Sequence, residues 1–360
     1  MKIIDRYLIK QFLQTILFGL LAFTLVFVII DMIENLDDFI DENVPNNIII
    51  QYYIVFIPEI IKLMIPVAVL LASLFVAGKM SNLNELTAIQ SAGVSIYRFM
   101  IPFIGVAFFI SILSVYFGGY IVPMANKNKV FIEREYMKKG IVHSGSNIFF
   151  QDTELRIVSI STYNVNTDQA YRVSIQEFEK DDITKMRIRY DAPRMRFDSS
   201  KQAWNLFNGT KRTFNDGKES IENYVIETID DLNFTPDEVI EKQRKTQELN
   251  ISELEDYANN QLRSGTDPTR VLIEYHSRFA FAFASIITVL FGLPISANKR
   301  RGGLALQFGI NLIITFVYLV FMQISKSFGK NGVLDPILTA WFANIVFLLA
   351  AIINLIRTRR

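Results

Sequence analysis

Lys79–Arg98, KMSNLNELTAIQSAGVSIYR, is a polar stretch set between two long apolar runs, and the reading of the whole chain turns on it. It is too short to cross a bilayer, which takes ~20 apolar residues. Asn82 is a good N-cap, Glu85 three residues later completes a capping box, and Gly93 supplies a stop, so a short helix is predicted over about 81–93. Leu86 and Ile89 share one face with Glu85 beside them, while Ser91, Ala92 and Gly93 leave the far end small enough for another surface to approach. Two readings are open: an ordered loop lying on a membrane, or a docking helix through which an outside motor moves membrane helices.

Upstream, the second apolar run ends at Gly78, and counting back ~20 residues puts its other boundary near Pro58 and Glu59. Pro58 and Pro66 predict kinks in it. Glu59 and Lys62 fall near the outer interface on one helical face, where they can neutralise each other and Lys62 can snorkel to headgroups. The first run, Gln11–Ile30, is free of charge and follows Lys2, Arg6 and Lys10, which places the N-terminus in the cytoplasm. Asp31 follows Ile30 directly with no small-residue cleavage site, so a retained anchor is predicted. Asp31, Glu34, Asp37, Asp38, Asp41 and Glu42 come next without a base, at a spacing that carries the helix past the outer surface. They form either a solvated acidic face or a place where divalent cations bridge carboxylates to lipid phosphates.

Downstream, a third run from Phe99 to about Ala125 leads outward, so the segment after Pro123 is external. Residues 126–266 then read as a soluble domain. A polar connector with Lys127, Lys129, Arg134, Lys138 and Lys139 leads into NIFFQ, LRIVSISTYNV, AYRVSIQEFE, KMRIRYDAPRMRF and AWNLFNG, separated by turn-rich pieces. Five or more antiparallel strands in a sandwich or open jelly roll are predicted. Thr235, Pro236 and Glu238 signal one helix start, and Ser252 with Glu255 another, for a helix ending near Gly265. Within 267–360 three more spans follow: Phe279–Asn298, stopped by Lys299, Arg300 and Arg301; Gly302–Ser325; and Pro336–Ile356, with Arg357, Arg359 and Arg360 inside. KSFGKNGVLD is read as a tight external connection. Asn311, Thr315, Tyr318 and Gln323 dot the fifth span, for helix-to-helix hydrogen bonds or for lining a cavity.

The fold class is therefore a membrane α-helical bundle of six transmembrane helices, with residues 1–125 and 267–360 flanking an inserted, jelly-roll-like antiparallel β domain. Half the residues are hydrophobic (51%) and the net charge is +1, which points to no nucleic acid and no acidic substrate. With no cysteine there is no disulfide, thiolate metal site or cysteine nucleophile. No G-x-x-x-x-G-K-[ST], H-E-x-x-H or G-x-S-x-G occurs, so any ATP dependence comes from a partner, and no cofactor is indicated. A secondary carrier is disfavoured by the lack of a midplane carboxylate and of an internal repeat. A membrane-bound lipid-modifying enzyme has only Glu59, Lys62, His276 and Arg278 to work with, His143 being the one other histidine.

Three spans, an external β domain, three further spans and the inner helix NELTAIQSAGVS together resemble the LptF/LptG permease family. IDRYLIKQF at the start, PVAVLLASLF, YIVPMAN, LNFTPDEV and EYHSRFAFAFA carry the likeness along essentially the whole chain. The resemblance implies a half-permease of an ATP-driven lipopolysaccharide exporter in the bacterial inner membrane, with both termini cytoplasmic and the β domain periplasmic. It implies as partners a second LptF/LptG permease, a cytoplasmic LptB-type ATPase dimer, and LptC/LptA-type periplasmic proteins. Carried onto this sequence, Glu85, Leu86, Ala88, Ile89 and Gly93 would couple to the ATPase. The first and fifth spans, with Asn311 and Tyr318, would form the gate. Family members often carry bases at the outer end of the first span for lipid phosphates, whereas this chain has Asp31 and Glu34. Lys127, Lys129 and Arg134 are substitutes by position. A permease of a different lipid or lipoprotein exporter is the alternative.

Overall fold

Inside a bilayer the backbone has no partner but itself, so long apolar runs become helices. In the computed structural model six helices are long and apolar enough to cross a membrane. The structure describes all residues except 1–2, 140–147, 165–166, 200, 216–217, 237–238, 240–245, 264–266, 298–302 and 359–360. The chain divides into two units, Met1–Ile132 with Thr246–Arg360, and Glu133–Lys245.

The helical unit opens with α1 (Ile3–Glu34), which stops before Asn35, so that the acidic run continues in a separate short helix, α2 (Leu36–Asp41). α3 (Asn46–Asn82) is unbroken and contains both Pro58 and Pro66. α4 (Glu85–Ser91) and α5 (Ile96–Tyr116) follow. A five-residue π-turn, Phe117–Ile121, then joins α5 to α6 (Val122–Glu135). The polar connector expected after Ala125 is thus helical as far as Glu135, because Ala125, Asn126 and Ile132 give it a buried side. After the β domain come α7 (Ile251–Arg263), α8 (Thr269–Ala297), α9 (Gly303–Lys330) and α10 (Pro336–Thr358). α9 runs through Lys330, which shortens the expected outer connection to the residues before Pro336. Its end is a Schellman motif: Val333 N–H donates to Phe328 O and Gly332 N–H to Gly329 O, with Gly332 at φ 75°.

α7 starts two residues earlier than Ser252 and Glu255 predicted. Asn250 Oδ1 accepts from Glu253 N–H (2.9 Å) and Glu253 Oε2 accepts from Asn250 N–H (2.7 Å), a reciprocal capping box. Of the other predicted starts and stops, Glu238, Gly265, Lys299, Arg300 and Arg301 lie outside the described residues.

The second unit holds one antiparallel sheet of six described strands: β1 (Ile148–Thr153), β2 (Arg156–Asn164), β3 (Gln169–Phe178), β4 (Met186–Asp198), β5 (Ala203–Asn215) and β6 (Lys218–Ile229). Every strand pairs with its sequence neighbours, so the described strands form a meander. Val158, Ile160, Ile175, Met195 and Leu206 build its buried face. The chain after β6 closes that face. Trp204 Nε1 donates to Phe234 O (2.7 Å), and the Trp204 and Phe234 rings lie 5.1 Å apart. β6 escaped the sequence reading because Ile221, Val225 and Ile226 are exposed and do not alternate.

Candidate functional site

The candidate residues of the helical unit fall into three places, and Arg134 belongs to the second unit. At the α4 end, the helix starts at Asn84, in the left-handed region at φ 60°, while Asn82 closes α3. The expected Asn82–Glu85 box does not form, because the two helices meet at Leu83–Asn84. Gly93 does end the helix: at φ 85° its N–H donates to Gln90 O (2.9 Å) and Val94 N–H to Ile89 O (3.3 Å), a Schellman motif. Leu86 is only 2% exposed, and Ile89 packs with it against Leu8, Phe12, Met80, Phe99 and Phe103. What α4 shows outward is Thr87, Ala88, Gln90 and Ser91, with Leu83 and Tyr97 exposed beside them. Glu85 is half-buried.

At the far end, Asp31 is half-buried and Glu34 exposed. Among the described residues no group of three carboxylates or histidines converges on a metal position. Lys129 lies over the rings of Phe56 (4.8 Å) and Tyr52 (5.9 Å), which belong to an aromatic cluster with Phe39 and Tyr53. Cation–π contact accounts for that position. Lys127 is exposed and Arg134 half-buried on α6. Tyr318 is buried among helices. Its hydroxyl donates to Asn344 Oδ1 (2.5 Å), and Asn344 Nδ2 donates to Ala280 O (2.7 Å), tying α9 to α10 and α10 to α8. The side chain of Asn311 and all of His143 lie outside the described residues. His276 packs edge-on against Tyr275.

The third place holds two residues that sequence reasoning missed. Lys62 of α3, Glu274 and Arg278 of α8 and Lys326 of α9 line a cavity of about 260 Å³ with Leu63, Phe281, Leu319 and Met322. Lys326 Nζ lies 3.7 Å from Glu274 Oε2, with both side chains 23% exposed. Arg278 is 5% exposed and donates to Thr246 O (2.8 Å) and to Gly119 O (3.4 Å) in the π-turn. Among the described residues its Nε, and Oγ of Ser277 beside it, have no partner. The Lys62 stem passes beside Gly118, and among the described residues it makes no ion pair with Glu59. Three cations and one carboxylate thus line the cavity, with Glu59 within electrostatic reach of Lys62 and Glu253 of Arg278. Lys62 is about 25 Å from Lys79 along α3 at ~1.5 Å per residue, close to the far side of a ~30 Å hydrocarbon core. Buried charge without a counter-charge is unfavourable by several kcal/mol per ion, so an excess of cations here favours an anion beside them. Glu274 and Lys326 were legible only as charges at the edges of apolar runs, and nothing in the linear order joins them.

Comparison with known proteins supports the same outline. The family described as "Lipopolysaccharide export system permease LptF/LptG" matches residues 6–357. The protein described as "Lipopolysaccharide export system permease protein LptF" from Escherichia coli (strain K12) is 22% identical over 367 residues, covering 98% of this chain and 94% of the relative. The protein of the same description from Shigella flexneri matches to the same extent.

Proposed function

Because the chain belongs to the LptF/LptG family of lipopolysaccharide export system permeases, we propose that it is one half of an ATP-driven permease that lifts lipopolysaccharide from the outer leaflet and passes it to a periplasmic bridge. The family and the six apolar helices make it a multi-pass inner-membrane transporter component. The chain has no P-loop, so hydrolysis belongs to a separate LptB-type dimer. The docking surface for that dimer is the outward face of α4 around Ala88 and Gln90, with Leu83 and Tyr97, while Leu86 and Ile89 hold α4 to the core. Arg6, Lys10, Lys79 and Arg98 gather at the α4 end, which supports a cytoplasmic side there and a periplasmic β domain. A second LptF/LptG subunit completes the permease, and LptC/LptA-type proteins receive the lipid.

The observation that carries the reading is the cation cavity between α3, α8 and α9. Phosphate groups on an acylated sugar supply the missing negative charge, and the acyl chains match Leu63, Phe281, Leu319 and Met322. An ATPase that binds the closed arrangement more tightly than the open one then drives the lipid out, since only differential affinity shifts such an equilibrium.

Two measurements test this. Affinity capture of the tagged chain from native membranes, with mass spectrometry, should return a P-loop ATPase and a second six-span permease. Lys62→Glu and Lys326→Glu should each weaken lipopolysaccharide crosslinking by about tenfold or more, because each loses a charge-assisted contact of ~1.5–3 kcal/mol, with the ATPase still bound. Undiminished crosslinking in both would remove the cavity from the lipid path.

A further inference from the structure

α1 touches α3 as far out as Gly19 beside Ala68 and Asp31 beside Tyr53, but its fully buried residues lie at one end. Among its described residues only Asp5, Leu8, Phe12 and Ile16 are buried, and everything beyond Ile16 is at least partly open. Leu8, Phe12 and Ile16 share one apolar cluster with Leu86 of α4 and Phe99 and Phe103 of α5, the Phe12 and Phe103 rings lying 5.0 Å apart. Apolar contact of this kind is non-directional and can slide. A directional contact joins this end of α1 to α5. Arg98 Nη2 donates to Asp5 Oδ2 at 2.7 Å across 93 residues of sequence, with the carboxylate side chain 12% exposed and the guanidinium 36%. Arg98 belongs to the elbow that follows α4: Gly93 turns the chain, and Ser95 caps α5 by accepting from Arg98 N–H (3.3 Å).

An ion pair thus ties the foot of α1 to the elbow. Gly93 joins the elbow to α4, and α1 carries no fully buried residue beyond Ile16, so a displacement of the elbow is passed to the foot of α1 and along it. We propose that Asp5 and Arg98 are positioning residues: their ion pair locks the foot of α1 to the α4–α5 elbow, so that movement of the docked ATPase swings α1. The inference rests on the docking reading of α4 given above.

The test uses the assembled transporter in proteoliposomes with purified lipopolysaccharide, reading ATP hydrolysed and lipid released in the same sample. Asp5→Lys and Arg98→Glu should each keep the ATPase bound and hydrolysing, while lipid released per ATP falls about fivefold or more, the lower end of usual coupling energies. The exchanged pair, Asp5→Arg with Arg98→Asp, should restore most of that ratio. A merely structural role would lower the amount of assembled complex and leave the ratio unchanged, and that result overturns the proposal. Ala88→Arg, on the outward face of α4, separates the two ideas. If it releases the ATPase while the single variants keep a normal ratio, docking stands and the tie falls. If it leaves the ATPase bound and export intact, the docking reading falls and takes the tie with it.

Discussion

Gly209 has no room for a side chain. A Cβ there would collide with the Tyr224 hydroxyl and with Asp191 O, and the second of these is backbone that does not swing aside. The neighbouring positions are irregular at the same level of the sheet: Asn208 has φ 53°, Arg172 on β3 has φ 51°, and the facing Pro193 has no N–H to give the ladder. Arg172 also switches the buried face, which passes from Ala170 to Val173 without strict alternation. Gly209→Ala should therefore destabilise the β domain by ~1–3 kcal/mol, as overpacking does, and lower its thermal midpoint while leaving the helical unit's hydrogen exchange unchanged. Arg156 poses the opposite problem. It is held by Glu177, Asp231 and Asp152; burial pulls its pKa down, but Asp231 and Glu177 raise it above the ordinary guanidinium value. Arg156→Ala leaves Asp152, 1% exposed, without its cation, and leaves Glu177 only the exposed Arg187. A loss of ~3 kcal/mol or more is expected from breaking such a network, read as faster amide exchange across β2 and β3. Neither residue stood out in sequence, since a glycine in a strand and an arginine after a turn carry no mark of what lies across the sheet.

At the scale of elements, the cap of α7 is a sharp case, because two overlapping boxes compete for it. Asn250/Glu253 and Ser252/Glu255 both have the right spacing, and the structure uses the first. Asn250→Ala should cost about 1 kcal/mol and fray the first turn in hydrogen exchange, whereas Ser252→Ala should leave that turn intact. Equal effects would mean the helix starts later. The start of α4 moved from Asn82 to Asn84 for another reason: α3 runs on through Asn82. Stops were easier to read than starts. Gly93 has empty space around its Cβ position, so only its positive φ calls for glycine, and that demand shows in sequence. Spans were legible for a different reason: hydropathy sums over about twenty residues, and single errors cancel. Their ends were not, because Asn126–Glu135 and Lys326–Lys330 interrupt the apolar runs yet continue α6 and α9. The cation cavity depended on those extensions. Once α9 is seen to reach Lys330, Lys326 is a helix residue facing Glu274 rather than part of a loop.

For the molecule as a whole, the helices of the membrane unit are unequally covered. In its most apolar window α8 is 67% buried and α3 56%, but α1 only 6% and the fifth span 22%. Lipid alone satisfies an apolar surface, so exposure by itself does not distinguish lipid from a partner. The cation cavity does add a constraint. It opens between α3, α8 and α9, and a cavity that holds a lipid needs a second wall to keep bulk lipid out. A second permease placed against α1 and α9 would supply that wall and cover the two barest helices together. The chain has no cysteine, so single introduced cysteines report without interference. Cysteines replacing Leu21 on α1 (63% exposed) and Phe316 on α9 (68%) should crosslink to the second permease in native membranes. One replacing Phe109 on α5, equally bare at 62%, should react only with lipid-soluble maleimide. Crosslinking from Phe109 with none from Leu21 or Phe316 would put the partner on the α5 side, and the lipid path would then have to be sought away from the cation cavity.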